Sequence, residues 1–237
     1  MSPDGSLPMS KTAIAANPVE RMIAAWDTSF AKAEVFDAPY RHFYLRNLFP
    51  QDIIEALNAI DASAPDLNGV SGKRELHNDD RFYFNRDVID ANPVAHAIST
   101  ALQSQQVVSL IEKLFSVDLT GSLLRLEYAQ DIDGFWLHPH TDLGVKKISM
   151  LIYLNDAPTD EQWGTDIFNT DHTHHKCMDH GANCALAFTP SGNTYHGFVK
   201  RPIHGVRKSL IFNYVTQDWR DRSQLAFPNS SVGDQRQ

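Results

Sequence analysis

Apolar residues recur at helical spacing through the first half of the chain and at alternate positions through much of the second. The stretch "PVERMIAAWDTSFAKAE" carries Met22, Ile23, Trp26 and Phe30 three and four apart behind a proline suited to a first helical turn, so a helix is predicted from residue 18. "PQDIIEALNAIDAS" repeats the arrangement, with Pro50 at the start and Ile53, Ile54, Leu57 and Ile60 on one face. Between them "YRHFYLRNLF" is aromatic and strand-like. "NPVAHAISTALQSQQVVSLIEKLF" predicts one long helix or two consecutive ones. From residue 122 the chain breaks into short β-type runs separated by turn residues: "SLLRLEYAQ", "KKISMLIYLN", "WGTDIFNT", "ANCALAFTP" and "RKSLIFNYV". Helices first and antiparallel strands afterwards predict a mainly β, α+β fold with N-terminal helices and a sandwich or barrel core.

A chain of 237 residues can bury a sizeable core as one domain, and none of its segments repeats. Its polar, proline-punctuated ends predict loose tails over residues 1–17 and 221–237 around a single domain at 18–220. Apolar residues at 42% and charged residues at 21% argue against a disordered or fibrous chain. The net charge of -8, with no Lys/Arg cluster, argues against a nucleic-acid partner. The longest apolar runs, such as "SMLIYL", fall far short of the ~20 residues of a membrane span. An early acid and scattered prolines give the N-terminus none of the character of a signal peptide, so a cytoplasmic location is expected. Cys177 and Cys184 are too few for a disulfide framework and fit a reducing compartment.

Eleven histidines are the compositional oddity. In "WLHPHTDLG", His140 and Asp142 lie two apart, which on an extended strand puts an imidazole and a carboxylate on one face. A distant second histidine would complete a two-histidine, one-carboxylate set, which suits Fe(II) and leaves coordination positions open. His196, between a Pro/Gly/Asn loop and a later strand, is the candidate. His138 shares the parity of His140 and is expected at the pocket wall.

The ordered set "HTD" (140–142), "YHG" at His196 and, eleven residues on, "RKS" (207–209) resembles the Fe(II)/2-oxoglutarate-dependent dioxygenases. "MLIYLN" followed by "WGT" and a phenylalanine is similar to their prolyl-hydroxylase-like branch, and the likeness covers roughly residues 120–216. The resemblance implies a double-stranded β-helix (jelly-roll) core with Fe(II) held by His140, Asp142 and His196. It implies 2-oxoglutarate as cosubstrate, its far carboxylate on the Arg207 fork with help from Ser209, and Tyr153 and Tyr128 at positions that match cosubstrate-contacting tyrosines. The implied reaction takes O2, releases succinate and CO2, and hydroxylates an unactivated C–H bond, with a free small molecule such as an amino acid or natural-product intermediate as substrate. A peptidyl or protein residue stays open as the alternative. Asp142 speaks against a halogenase, in which a small residue replaces that carboxylate.

Other readings of the same residues compete. "DHTHHKCMDHGANC" is dense enough in His172, His174, His175, Cys177, His180 and Cys184 to suggest a structural zinc, and a non-enzymatic barrel-fold binding protein would carry one there. The plain alternative is an exposed His-rich loop. A cupin reading of His138 and His140 lacks the glutamate that should follow. The polar, aromatic segment at 73–89 offers Arg74, Arg81, Tyr83 and Arg86 either to an anionic substrate at the barrel mouth or to solvent. Trp136 is either a pocket wall or a strand-packing aromatic.

Overall fold

The computed structural model describes residues 13–64, 66–67, 71–73 and 81–234. The first predicted helix is α1 (Pro18–Phe30), with proline in its first turn and Met22, Trp26 and Phe30 buried. Two short strands, β1 (Glu34–Phe36) and β2 (His42–Arg46), precede α2 (Gln51–Asn58). After β3 (Phe82–Tyr83) come α3 (Arg86–Ala91), α4 (Pro93–Gln103) and α5 (Gln105–Phe115). The long helical stretch is two helices because Ser104 adopts extended backbone and its hydroxyl caps α5 at Val107 N–H.

Eight strands follow: β4 (Leu123–Asp131), β5 (Leu137–His140), β6 (Lys146–Tyr153), β7 (Asp166–Phe168), β8 (His174–Cys177), β9 (Cys184–Phe188), β10 (His196–Phe198) and β11 (Arg207–Val215). They form two antiparallel sheets, ordered β1-β2-β9-β6-β11-β4-β3 and β5-β10-β7-β8. Among the described residues no strand pairing joins one sheet to the other.

The period of two divides the large sheet into an apolar and a mixed face. Leu124, Leu126 and Tyr128 of β4, Ile148, Met150 and Ile152 of β6, and Leu210, Phe212 and Tyr214 of β11 pack with α1, α2, α4 and α5 in one core. Trp26 ties α1 to this face with its ring 5.9 Å from Phe212 at 86°, and truncating so large a buried ring costs about 3–5 kcal/mol. The alternate residues, Arg125, Glu127 and Asp131 of β4 and Arg207, Ser209 and Asn213 of β11, are buried on the other face, toward the small sheet. Polar residues buried there need partners: Arg125, Glu127 and Asn213 are hydrogen-bonded together and on to Ser149, and Arg207 pairs with Asp131.

The expected C-terminal tail is corrected over residues 221–234. Leu225, Ala226 and Val232 are buried, and backbone bonds run from Ala226 N–H to Leu124 and from Val232 N–H to Ser122. Three apolar side chains spaced through a polar stretch are enough to dock it along β4. Residues 1–12 and 235–237 lie outside the described residues, and no described helix is long and apolar enough to cross a membrane.

Candidate metal and cosubstrate site

Strand pairing brings the two histidines together. β10 lies antiparallel to β5 with His196 directly opposite His140, and their ring centroids are 4.4 Å apart. Gly197 permits the approach, since a Cβ there would sit 2.8 Å from the Leu137 carbonyl oxygen. His140 Nδ1 lies 2.8 Å from the His138 carbonyl and His196 Nδ1 lies 3.0 Å from that of Thr194. A carbonyl only accepts, so each Nδ1 carries the proton and each Nε2 keeps a lone pair, the arrangement metal-binding imidazoles use. Burial pushes the His196 imidazolium down to about 4, against the pull of Asp142, so the ring is neutral near pH 7.

Asp142 reaches the same chamber by a different route than strand parity. β5 ends at His140, and Asp142 stands in the turn beyond it. Its carboxylate accepts from Lys146 Nζ at one oxygen and from Ser149 Oγ at the other, the latter at 2.5 Å. Burial alone would raise this carboxyl, but Lys146, His196 and the two hydrogen bonds hold it well below the usual carboxylate range. Among the described residues no three His, Cys, Asp or Glu side chains are disposed as a ready-made metal cage. The two imidazoles converge, and the carboxylate beside them is turned to Lys146.

All three line an inner chamber of about 60 Å³, walled by Phe135, Leu137, Phe198 and Ile211. It meets an outer pocket of about 460 Å³ that shares His140, Asp142 and Lys146 and adds His138, Lys73, Trp219 and Gln224. Trp136 stacks edge-on against His138 at 4.4 Å.

Arg207 opens β11 on the chamber side, opposite Asp131 in the β4 register. Its fork is already in use: Nη1 donates to Asp131 Oδ2 at 2.5 Å, Nε to the Trp163 carbonyl at 2.6 Å and Nη2 to Thr165 Oγ1 at 3.5 Å. Both members of the ion pair are 2% exposed. Ser209 faces the same side, and its buried Oγ has no partner among the described residues. Tyr153 lies beneath the guanidinium, ring 5.6 Å away, with its hydroxyl donating to Thr165 Oγ1 at 3.0 Å. Tyr128 is a correction: its even position on β4 turns it to the helix side, where its ring meets Phe82 at 6.2 Å and it joins the apolar core.

Sequence reasoning missed Asp131, Lys146, Ser149, Thr165, Arg125 and Glu127. Arg125 donates to Asn213, Tyr83, Glu127 and Gln224, and Arg81 clasps Glu127 through Nε at 2.9 Å and Nη2 at 2.5 Å. The alternation of charged and apolar residues in "LLRLEYAQD" was the available signal. Arg86 pairs with Asp90 at the surface, and Arg74 lies outside the described residues.

Among the described residues the His-rich segment gathers no three metal donors, so the structure lends the zinc reading no support. His174 bonds the buried Asp166 at 2.8 Å, His172 stacks on Tyr195 at 4.5 Å, and both cysteines are free. Strand alternation along β8 separates neighbouring donors onto opposite faces. His180 instead packs on Tyr153 at 4.5 Å and near Trp163 at 5.9 Å, with both ring nitrogens buried and unpartnered among the described residues. Burial, then Arg207, pushes its imidazolium down to about 3.

No protein-family model matches the chain, and no curated protein does either. Solved structures do. A prolyl-4-hydroxylase from Pseudomonas putida is 17% identical at a TM-score of 0.50, over 82% of this chain and 98% of that one. A prolyl 4-hydroxylase from Phytophthora capsici is 14% identical at a TM-score of 0.54, over 90% of this chain and 68% of that one. The chain therefore shares the jelly-roll fold of the prolyl 4-hydroxylases.

Proposed function

We propose that the protein is an Fe(II)- and 2-oxoglutarate-dependent oxygenase that hydroxylates a C–H bond of a small molecule. The observation that carries this reading is the facing pair His140 and His196, each with Nδ1 committed to a carbonyl and Nε2 free, beside a carboxylate kept ionised in a jelly-roll chamber. The donor set fits the metal: two neutral imidazoles and one carboxylate suit Fe(II) and leave room for other ligands. The outer pocket of about 460 Å³ falls within the range of small-molecule sites, which favours a free substrate over a peptide.

His140, Asp142 and His196 would hold the iron, and Arg207, Ser209 and Tyr153 would hold the cosubstrate. Iron with 2-oxoglutarate and O2 supplies oxidation of an unactivated C–H bond, with succinate and CO2 as coproducts. The protein's own groups prepare the place. The carbonyls of His138 and Thr194 fix both imidazole tautomers. Ser149 holds one Asp142 oxygen, and Lys146, bonded to the other, would give it up to a metal. Phe135, Leu137, Phe198 and Ile211 give the chamber an apolar wall, which strengthens the charge interactions beside it.

Anaerobic addition of Fe(II) and then 2-oxoglutarate is expected to produce a visible metal-to-ligand charge-transfer band. Folded protein that binds both without the band, or binds neither, overturns the proposal.

A further inference from the structure

Three polar groups surround the Arg207 guanidinium in an arrangement that a purely structural ion pair leaves unexplained. Asp131 occupies Nη1, as the last residue of β4 before the turn that leads to β5. Ser209 Oγ, two residues along the same face, is buried with no partner among the described residues. Both ring nitrogens of His180 are equally buried and unpartnered, in a ring packed on the Tyr153 that lies under Arg207. Buried polar atoms without partners cost free energy, and three of those among the described residues, Ser209 Oγ and the two His180 ring nitrogens, lie near this one cation. Meanwhile the inner chamber measures about 60 Å³, far below the few hundred Å³ typical of organic ligands. As it stands, the space beside Arg207 is filled by the chain's own carboxylate.

We infer that Asp131 is an internal stand-in for the cosubstrate's far carboxylate: it neutralises Arg207, and it must leave the guanidinium for a dicarboxylate to bind. The inference rests on the proposed cosubstrate role of Arg207. Its position suits the exchange. Asp131 is the last residue of β4, so its side chain can turn toward the adjoining loop while the β4–β11 ladder stays intact. An incoming carboxylate has two oxygens and several lone pairs, so it can accept from the fork Asp131 vacates and from the Ser209 hydroxyl as well. Asp131 thereby lowers cosubstrate affinity, because its own interaction with Arg207 must be given up each time.

Asp131→Asn keeps the shape and removes the charge. In metal-loaded anaerobic protein it is expected to bind 2-oxoglutarate at least tenfold more tightly than wild type by calorimetry, a gain that a merely structural residue would not give. A folded Asp131→Asn that binds no more tightly overturns the inference. Asp131→Ala covers the case in which the asparagine variant fails to fold. It opens a cavity beside an unpaired guanidinium, so acetate, and not acetamide, should raise its melting temperature, with no such rise in wild type or in Asp131→Ala/Arg207→Met. Equal response to acetate and acetamide overturns the inference. The acetate arm needs neither metal nor cosubstrate, so it stands apart from the charge-transfer test: a missing band in wild type defeats the oxygenase reading, while acetate rescue still reports on the Arg207 station.

Discussion

Lys146 is the side chain that most directly sets the state of the proposed metal site. Its ammonium holds the Asp142 carboxylate that would otherwise face the two imidazoles, and it lines the same chamber. A dication entering there must displace this ion pair and then tolerate a cation a few ångströms away, a repulsion of several kcal/mol at effective dielectric constants near protein surfaces. Lys146→Met keeps most of the apolar stem and removes both obstacles. It should therefore bind Mn(II), used as a redox-stable probe, at least about tenfold more tightly, roughly 1.4 kcal/mol. Unchanged or weaker binding in folded protein would show that Lys146 supports the site rather than competing for it. Nothing in "HTDLGVKKIS" announces this role, because an i,i+4 lysine looks like an ordinary surface partner until β6 is seen to carry it into the chamber. Arg207 teaches the same lesson from the other sign. Its presence eleven residues after His196 was legible, but its partner Asp131 is set by strand register seventy-six residues away, which no local pattern encodes.

At the level of strands, the β5–β10 pair matters most, since it alone fixes the spacing of His140 and His196. Both strands are short, of four and three residues, so their alternation was too brief to stand out in the sequence. The long strands β4, β6 and β11 were legible for the opposite reason: eight or nine residues of alternation, with one face apolar against the helices. That alternation also places Tyr128, expected at the cosubstrate, with its even neighbours Leu124 and Leu126 on the helix face. Gly197 offers a direct test of the pairing. An alanine Cβ would lie 2.8 Å from the Leu137 carbonyl and 3.0 Å from that of His138, both backbone atoms that yield only by moving the strand. Gly197→Ala should therefore weaken Mn(II) binding about tenfold or more while costing about 1–3 kcal/mol of stability. Wild-type metal affinity in this variant would mean that the histidine spacing is not set by the close approach.

For the molecule as a whole, the two faces of the large sheet respond differently to acid. The helix-side core is apolar, and the buried histidines whose imidazoliums are pushed down by burial, His42, His180 and His196, lie outside it. His180 and His196 are buried neutral, with imidazoliums pushed down to about 3 and about 4, whereas an unfolded histidine titrates near 6.5. The sign follows from proton binding. Below about pH 6.5 the unfolded chain takes up protons that the folded chain refuses, so stability is full above that value and falls as the pH drops toward about 4 for His196 and about 3 for His180. Each histidine contributes up to about 1.4 kcal/mol per pH unit within its window. Asp142 acts in the same direction at lower pH, because its folded-state carboxyl is held down and its stabilisation is lost as that group protonates. Urea denaturation between pH 7 and pH 4.5 should accordingly show a steep loss of stability in metal-free protein. His180→Phe removes one of the three protons that buried His42, His180 and His196 refuse and leaves the proposed metal ligands untouched, so its stability should fall less steeply than that of wild type. A slope equal to that of wild type would mean that His180 is open to solvent protons and that the space around Arg207 is wetter than its buried, unpartnered nitrogens indicate.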